Sequence, residues 1–250
     1  MLEVIFMLAK IRVEAGEYHF IRGLGIQIVT SFVFGRFYLE RFPLFHSGGS
    51  LGRYLVFVLD RYYYILIFYP LLSLLLTCNR YQGGSRYPVL LRYRSRNEFF
   101  CVRLLCKIGF VVLSMLAFLG ILYFTGRGEL TDMEQCGGII ASQCMNIFCY
   151  LCTLLLIYEI LEGIIGNLVL NYILTALLPM LNLIVEKLHH VWIAKWMPWG
   201  NIGYANGVVK PVEYHFYWWY WLFVLVFLAY IADVLNGRKD YVFGRSNKAN

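Results

Sequence analysis

The chain has 250 residues, 60% of them apolar, 18% aromatic and 15% charged, with a mean hydropathy of +0.62. A soluble domain carries about 25% charged residues, and a water-soluble globule of this length has too little interior for so much apolar surface; the aromatic content excludes a disordered chain. What remains is an all-α, polytopic membrane protein forming one transmembrane domain over residues 1–250, so the net charge of +7 reads first as a topology signal rather than as a mark of nucleic-acid binding.

Met1 to Glu17 reads as an N-terminal interfacial helix, with Glu3, Lys10, Glu14 and Glu17 on one face, or as a frayed tail. A crossing helix needs about 20 apolar residues. Stretches of that kind predict six transmembrane helices, at approximately 19–37, 55–77, 108–126, 136–158, 163–185 and 214–234. The first is the shortest apolar run, Gly23 to Gly35, and depends on Arg22 and Arg36 snorkelling at its ends. Pro70 falls in the second.

With the N-terminus inside, the inner segments hold thirteen Lys and Arg and the outer ones six. Both termini are therefore expected in the cytoplasm, and the chain in the cell membrane. Seven cysteines, an odd number lying mostly in apolar runs, read as reduced thiols and not as a disulfide framework.

The inner excess sits mainly in the second connection, which carries Arg80, Arg86, Arg92, Arg94, Arg96, Arg103 and Lys107. Gln82-Gly83-Gly84-Ser85 is turn material and Pro88 sets the direction of the segment after it. After Ser95, the run Asn97, Glu98, Phe99, Phe100, Val102, Leu104 and Leu105 suits a helix lying along the membrane before it enters. Taken alone, the arginines suffice to bind anionic headgroups and fix topology.

Arg92-Tyr93-Arg94-Ser95-Arg96, placed between spans two and three of a six-span chain, resembles the permease subunits of type-2 ATP-binding cassette (ABC) exporters. In bacteria these are half-size membrane subunits for peptides, antibiotics or bacteriocins. The family's loop often reads Arg-Tyr-Gly-Ser-Arg, and here Arg94 stands where glycine is usual. The resemblance implies that the loop docks in a groove of a separate ABC ATPase subunit. Arg92, Arg94 and Arg96 would set its register, Phe99 and Phe100 would anchor it, and Tyr93, Ser95, Asn97 and Glu98 belong to the same element. It also implies a dimer, with a second copy or a sister permease subunit. No Gly-x-x-x-x-Gly-Lys-Ser/Thr phosphate loop occurs. ATP and Mg are accordingly expected on the partner, with no cofactor and no catalytic residue on this chain.

Asn167, Asn171, Thr175 and Asn182 fall within about 80° of one another on a helix. They read either as a wall of the translocation path at the subunit interface or as hydrogen-bonding groups between helices of one subunit. Ser142, Gln143 and Asn146 admit the same two readings. Pro179 predicts a kink in the fifth span. Glu159 and Glu162 close the turn between spans four and five, where they are solvated, face the ATPase or accept Arg from the basic loop.

Trp192, Trp196, Trp199, Trp218, Trp219 and Trp221 suit a membrane–water boundary. Glu186, His189 and His190 cluster together; Glu186 and His190, four apart, could share a metal on one helical face, but a third ligand is not evident, so no metal site is expected. Two rival functions remain. One is an integral membrane enzyme acting on lipid through Glu159, Glu162, Glu186, His189 or His190. The other is a non-catalytic immunity or assembly protein.

Overall fold

The computed structural model describes residues 20–45, 49–59, 95–130, 136–165, 167–187 and 217–238. They form six helices: α1 Phe20–Phe45, α2 Leu51–Leu59, α3 Arg96–Arg127, α4 Gly137–Ile165, α5 Leu168–Lys187 and α6 Trp218–Arg238. Every regular element among the described residues is helical. Three helical segments, Asn97–Arg127, Gly137–Ile165 and Trp218–Leu235, are long and apolar enough to cross a membrane, and Val169–Pro179 is a shorter apolar stretch. The interfacial helix expected before Glu17 and most of the span expected at 55–77 lie outside the described residues.

α4 is the central element, with two thirds of its apolar window buried. It packs along α6 and also meets α2, α3 and α5; α1 runs along α3, and α2 wedges between α1, α3 and α4. At the other extreme α6 buries only 11% of its window, presenting Trp219, Phe223, Val226, Phe227 and Tyr230 outward. An apolar outer surface with polar side chains turned into the bundle suits helix packing in lipid, because lipid tails solvate Leu and Val well and solvate amides badly.

α1 shows this inversion most clearly. Gln27, Ser31, Gly35, Leu39 and Phe42 recur at spacings of three to four and are buried. Ile26, Val29, Val33 and Phe37 lie on the exposed side. The Ser114 hydroxyl on α3 donates to Gln27 Oε1 at 2.7 Å, and the Gln27 amide donates back to the Ser114 carbonyl at 3.5 Å. The helix continues past Arg36, whose guanidinium pairs with Glu129 at 2.7 Å.

Close approach of α2 to its neighbours depends on two glycines. The Tyr54 hydroxyl donates to the Gly35 carbonyl at 2.9 Å. A Cβ on Gly126 would lie 2.6 Å from Leu51 Cδ1 and 2.8 Å from Tyr54 Cδ1. Tyr54 in turn meets Phe42 edge-on, with ring centroids 6.0 Å apart. Gly126→Val therefore forces α2 away from α3, and is expected to lower stability by about 1–3 kcal/mol, measurable as a drop in the thermal midpoint of the detergent-purified chain. Gly120→Ala, with nothing among the described residues within 4 Å of the added methyl, is the control, expected to leave the midpoint unchanged or raise it.

α3 differs from its sequence expectation at its start. The helix runs unbroken from Arg96 to Arg127, beginning well before the apolar stretch at Ile108, so residues 97–107 belong to the same helix. Ser95 caps it, its backbone extended and its side chain accepting from Glu98 N at 3.1 Å; Glu98 adds a favourable charge in the first turn. Thirty-two residues make a rod of about 48 Å, longer than a hydrocarbon core of about 30 Å. α4 likewise continues through Glu159 and Glu162 to Ile165, so those residues are helical and do not form a turn. The physical reason is shared: the charges at these two helix ends answer one another.

Candidate functional site

Lys107 and Arg103 lie one turn apart on α3, and Glu159 and Glu162 lie one turn apart on α4. Residues at spacings of three or four share a helix face, so each helix presents two like charges to the other. The Arg103 guanidinium donates to Glu162 and the Lys107 ammonium to Glu159. Arg103 Nη2 is also 3.3 Å from Glu159 Oε2. The order Lys107–Glu159–Arg103–Glu162 shows that the helices run antiparallel here. The Lys107 ammonium also sits 5.2 Å from the Tyr158 ring centroid.

All four side chains are buried: Arg103 and Lys107 are at most 2% exposed and Glu159 is 1% exposed. Lys and Arg near a helix end ordinarily reach outward for water or headgroups; these two turn inward. Burying four charges is tolerable only because each cation lies against a carboxylate. Around them Phe100 packs with Leu156 of α4 and Ala232 of α6, and Gly163 lets Leu235 come within van der Waals range.

A second set of polar contacts lies toward the opposite end of α4. Trp221 Nε1 donates to Asn146 Oδ1 at 2.8 Å, joining α6 to α4. The Gln143 amide donates to the Leu59 carbonyl of α2 at 3.5 Å. Ser142 is half-buried on the same helix. Each contact ties a pair of helices within one chain, which is one of the two readings open for these residues.

The residues singled out in the basic loop divide into three groups. Arg92, Tyr93 and Arg94 lie outside the described residues, and Arg96 opens α3. Asn97 is exposed and Glu98 half-buried beside the Ser95 cap. Phe99 and Phe100 are buried within the chain's own bundle, at 3% and 5% exposure. As anchors, then, they hold α3 to this chain.

The four fifth-span residues do not share one environment. Asn167 precedes α5 and caps it, its Oδ1 accepting from Val169 N and Leu170 N at 3.1 and 3.2 Å. Asn171 and Thr175 are fully buried. The Thr175 hydroxyl donates to the Asn171 carbonyl at 2.7 Å, while neither side-chain amide atom of Asn171 has a hydrogen-bond partner among the described residues. Asn182 is helical, with its side chain outside the described set; Pro179 lies inside α5. Among the described residues no group of three or more His, Cys, Asp or Glu is placed to hold a metal. Cys149 and Cys152 are buried free thiols. His189 and His190 lie outside the described residues.

Sequence reasoning placed Arg103 and Lys107 in the inner connection, Arg103 within a helix lying along the membrane, and Glu159 and Glu162 in a turn. Acceptance of Arg from the basic loop by these glutamates stood as one of three alternatives, and it is the arrangement found. The signal was present: a basic pair at four-residue spacing before one apolar stretch and an acidic pair at three-residue spacing after the next. Gln27, Ser31 and Ser114 were not singled out, although Gln27-x-x-x-Ser31-x-x-x-Gly35 is a small and polar stripe at helical spacing. No family model matches this sequence, and neither a curated protein nor a solved structure matches it.

Proposed function

We propose that this chain is the membrane-spanning subunit of an ATP-driven exporter of the ABC type. In this reading six helices cross the cell membrane behind an N-terminal interfacial helix. Both termini are cytoplasmic, a second copy or sister permease completes the pathway, and a separate ABC ATPase subunit holds ATP and Mg. The substrate is a peptide, an antibiotic or another amphipathic molecule. The observation that carries the proposal is that α3 begins at Arg96, the last residue of the Arg92–Arg96 motif. Ser95 caps the helix and Arg96 opens it, so a force applied at Arg96 is delivered to the end of a single stiff rod. Docking falls to Arg92, Tyr93, Arg94, Arg96, Asn97 and Glu98, with Phe99 and Phe100 fastening the rod to its own bundle. Motor-driven closure then tilts the rod and converts an inward-open path to an outward-open one.

The reading is favoured over a lipid-modifying enzyme by the state of Glu159 and Glu162, which are buried against Arg103 and Lys107 and so are poorly placed to exchange protons with a substrate. The test is recovery of an ATP hydrolase with the tagged chain from its native membranes. Arg92→Glu with Arg96→Glu is expected to reduce that recovery at least tenfold while the amount of membrane-inserted chain stays unchanged. Equal recovery with the variant, or no hydrolase with the parent chain, refutes the reading.

A further inference from the structure

The buried charges on α3 and α4 are arranged more specifically than neutralisation requires. One cation against one carboxylate would join two helices; here two cations face two carboxylates as an alternating ladder, with Arg103 touching both Glu162 and Glu159. The ladder lies near the start of α3 and near the end of α4, where an apolar seam alone would resist sliding least. Apolar side chains repeat along a helix and tolerate a shift of one turn, about 5.4 Å. Charges do not. Sliding α3 one turn in either direction keeps only one of the two cation–carboxylate pairs, Arg103 with Glu159 or Lys107 with Glu162. Buried polar and ionic groups used in this way specify register at little gain in stability.

We propose that Lys107, Glu159, Arg103 and Glu162 form a register lock that makes α3 and α4 a single moving body. The lock goes beyond the transport reading and does not depend on it. Its consequence is that motion applied at Ser95 reaches the end of α4 at Ile165, and with it the start of α5 at Leu168, without slippage along the seam.

The test uses the full chain in phosphatidylcholine–phosphatidylglycerol vesicles. Spin labels are introduced by non-cysteine chemistry at Leu105 of α3 and Ile164 of α4, which are exposed at 46% and 65%. Three forms are compared by pulsed dipolar distance measurement. The parent is expected to give one narrow distribution. An apolar quartet (Arg103→Met, Lys107→Met, Glu159→Leu, Glu162→Leu) is expected to stay monodisperse and to broaden the distribution at least twofold. A reversed quartet (Arg103→Glu, Lys107→Glu, Glu159→Lys, Glu162→Arg) is expected to narrow it again. An apolar quartet as narrow as the parent, or a reversed quartet as broad as the apolar one, overturns the lock. If the apolar form does not stay monodisperse, the reversed form alone decides, narrow in favour and broad against.

Discussion

Glu159→Leu is expected to destabilise the chain by about 3–5 kcal/mol, the range for removing one partner from a buried ion pair. Glu159 lies between Lys107 and Arg103. Its loss leaves two buried cations facing the single carboxylate of Glu162, and the replacement side chain offers neither charge nor acceptor. The sign follows from desolvation: the cations stay out of water while the group that offset their burial is gone. The measurement is the thermal midpoint and monodisperse yield of the variant in detergent. Adding Lys107→Met to Glu159→Leu is expected to recover much of the loss, because matching apolar groups in place of a buried pair are close to neutral. A single variant as stable as the parent would mean that the cations find water.

Trp221→Ala is expected to cost about 3–5 kcal/mol, whereas Trp219→Ala should change stability by less than about 0.5 kcal/mol. The two residues are two positions apart on α6, and they differ completely in surroundings. Trp221 is 1% exposed, packs in the main core and donates to Asn146. Trp219 is 67% exposed and stacks on Trp218 with ring centroids 3.6 Å apart. Truncating Trp221 opens a cavity between α4 and α6 and takes the indole donor from Asn146. Even where lipid replaces water as the surrounding medium, the cavity forfeits dispersion contacts. Intrinsic tryptophan fluorescence with thermal unfolding reads both variants; equal midpoints for the pair would show that α6 is not fastened to α4 by Trp221.

These two predictions also mark where reading the chain as a string succeeds and fails. Six tryptophans looked alike as boundary residues, and only packing separates Trp221 from Trp218 and Trp219. The apolar stretches predicted at 108–126, 136–158 and 214–234 each carry a helix, α3, α4 and α6, because long runs without charge leave a backbone no other way to satisfy itself away from water. The ends of those helices were less legible. α3 starts earlier than its apolar stretch and α4 finishes later, since charged residues mark a boundary in a one-dimensional reading and a contact in a three-dimensional one. Ser95 with Glu98 three residues on was a local start signal of the usual kind, present beside the arginines that drew attention first.

Asn167 shows the same limit in the fifth helix. Its angular position grouped it with Asn171 and Thr175, yet it precedes the first turn and its side chain accepts from two backbone amides. Periodicity assumes the helix has already begun, so it says nothing of a residue that begins one.

Composition and apolar spacing alone were enough to predict an all-helical chain with long apolar helices, since these follow from interactions within a single helix or between a helix and its solvent. Which polar residue meets which was settled only by assembly: Gln27 with Ser114, Trp221 with Asn146, Lys107 and Arg103 with Glu159 and Glu162. A helix face has a direction fixed by its 3.6-residue period, but the identity of the facing helix depends on the packing of every other element, and a buried charge is intelligible only once its opposite has been placed beside it.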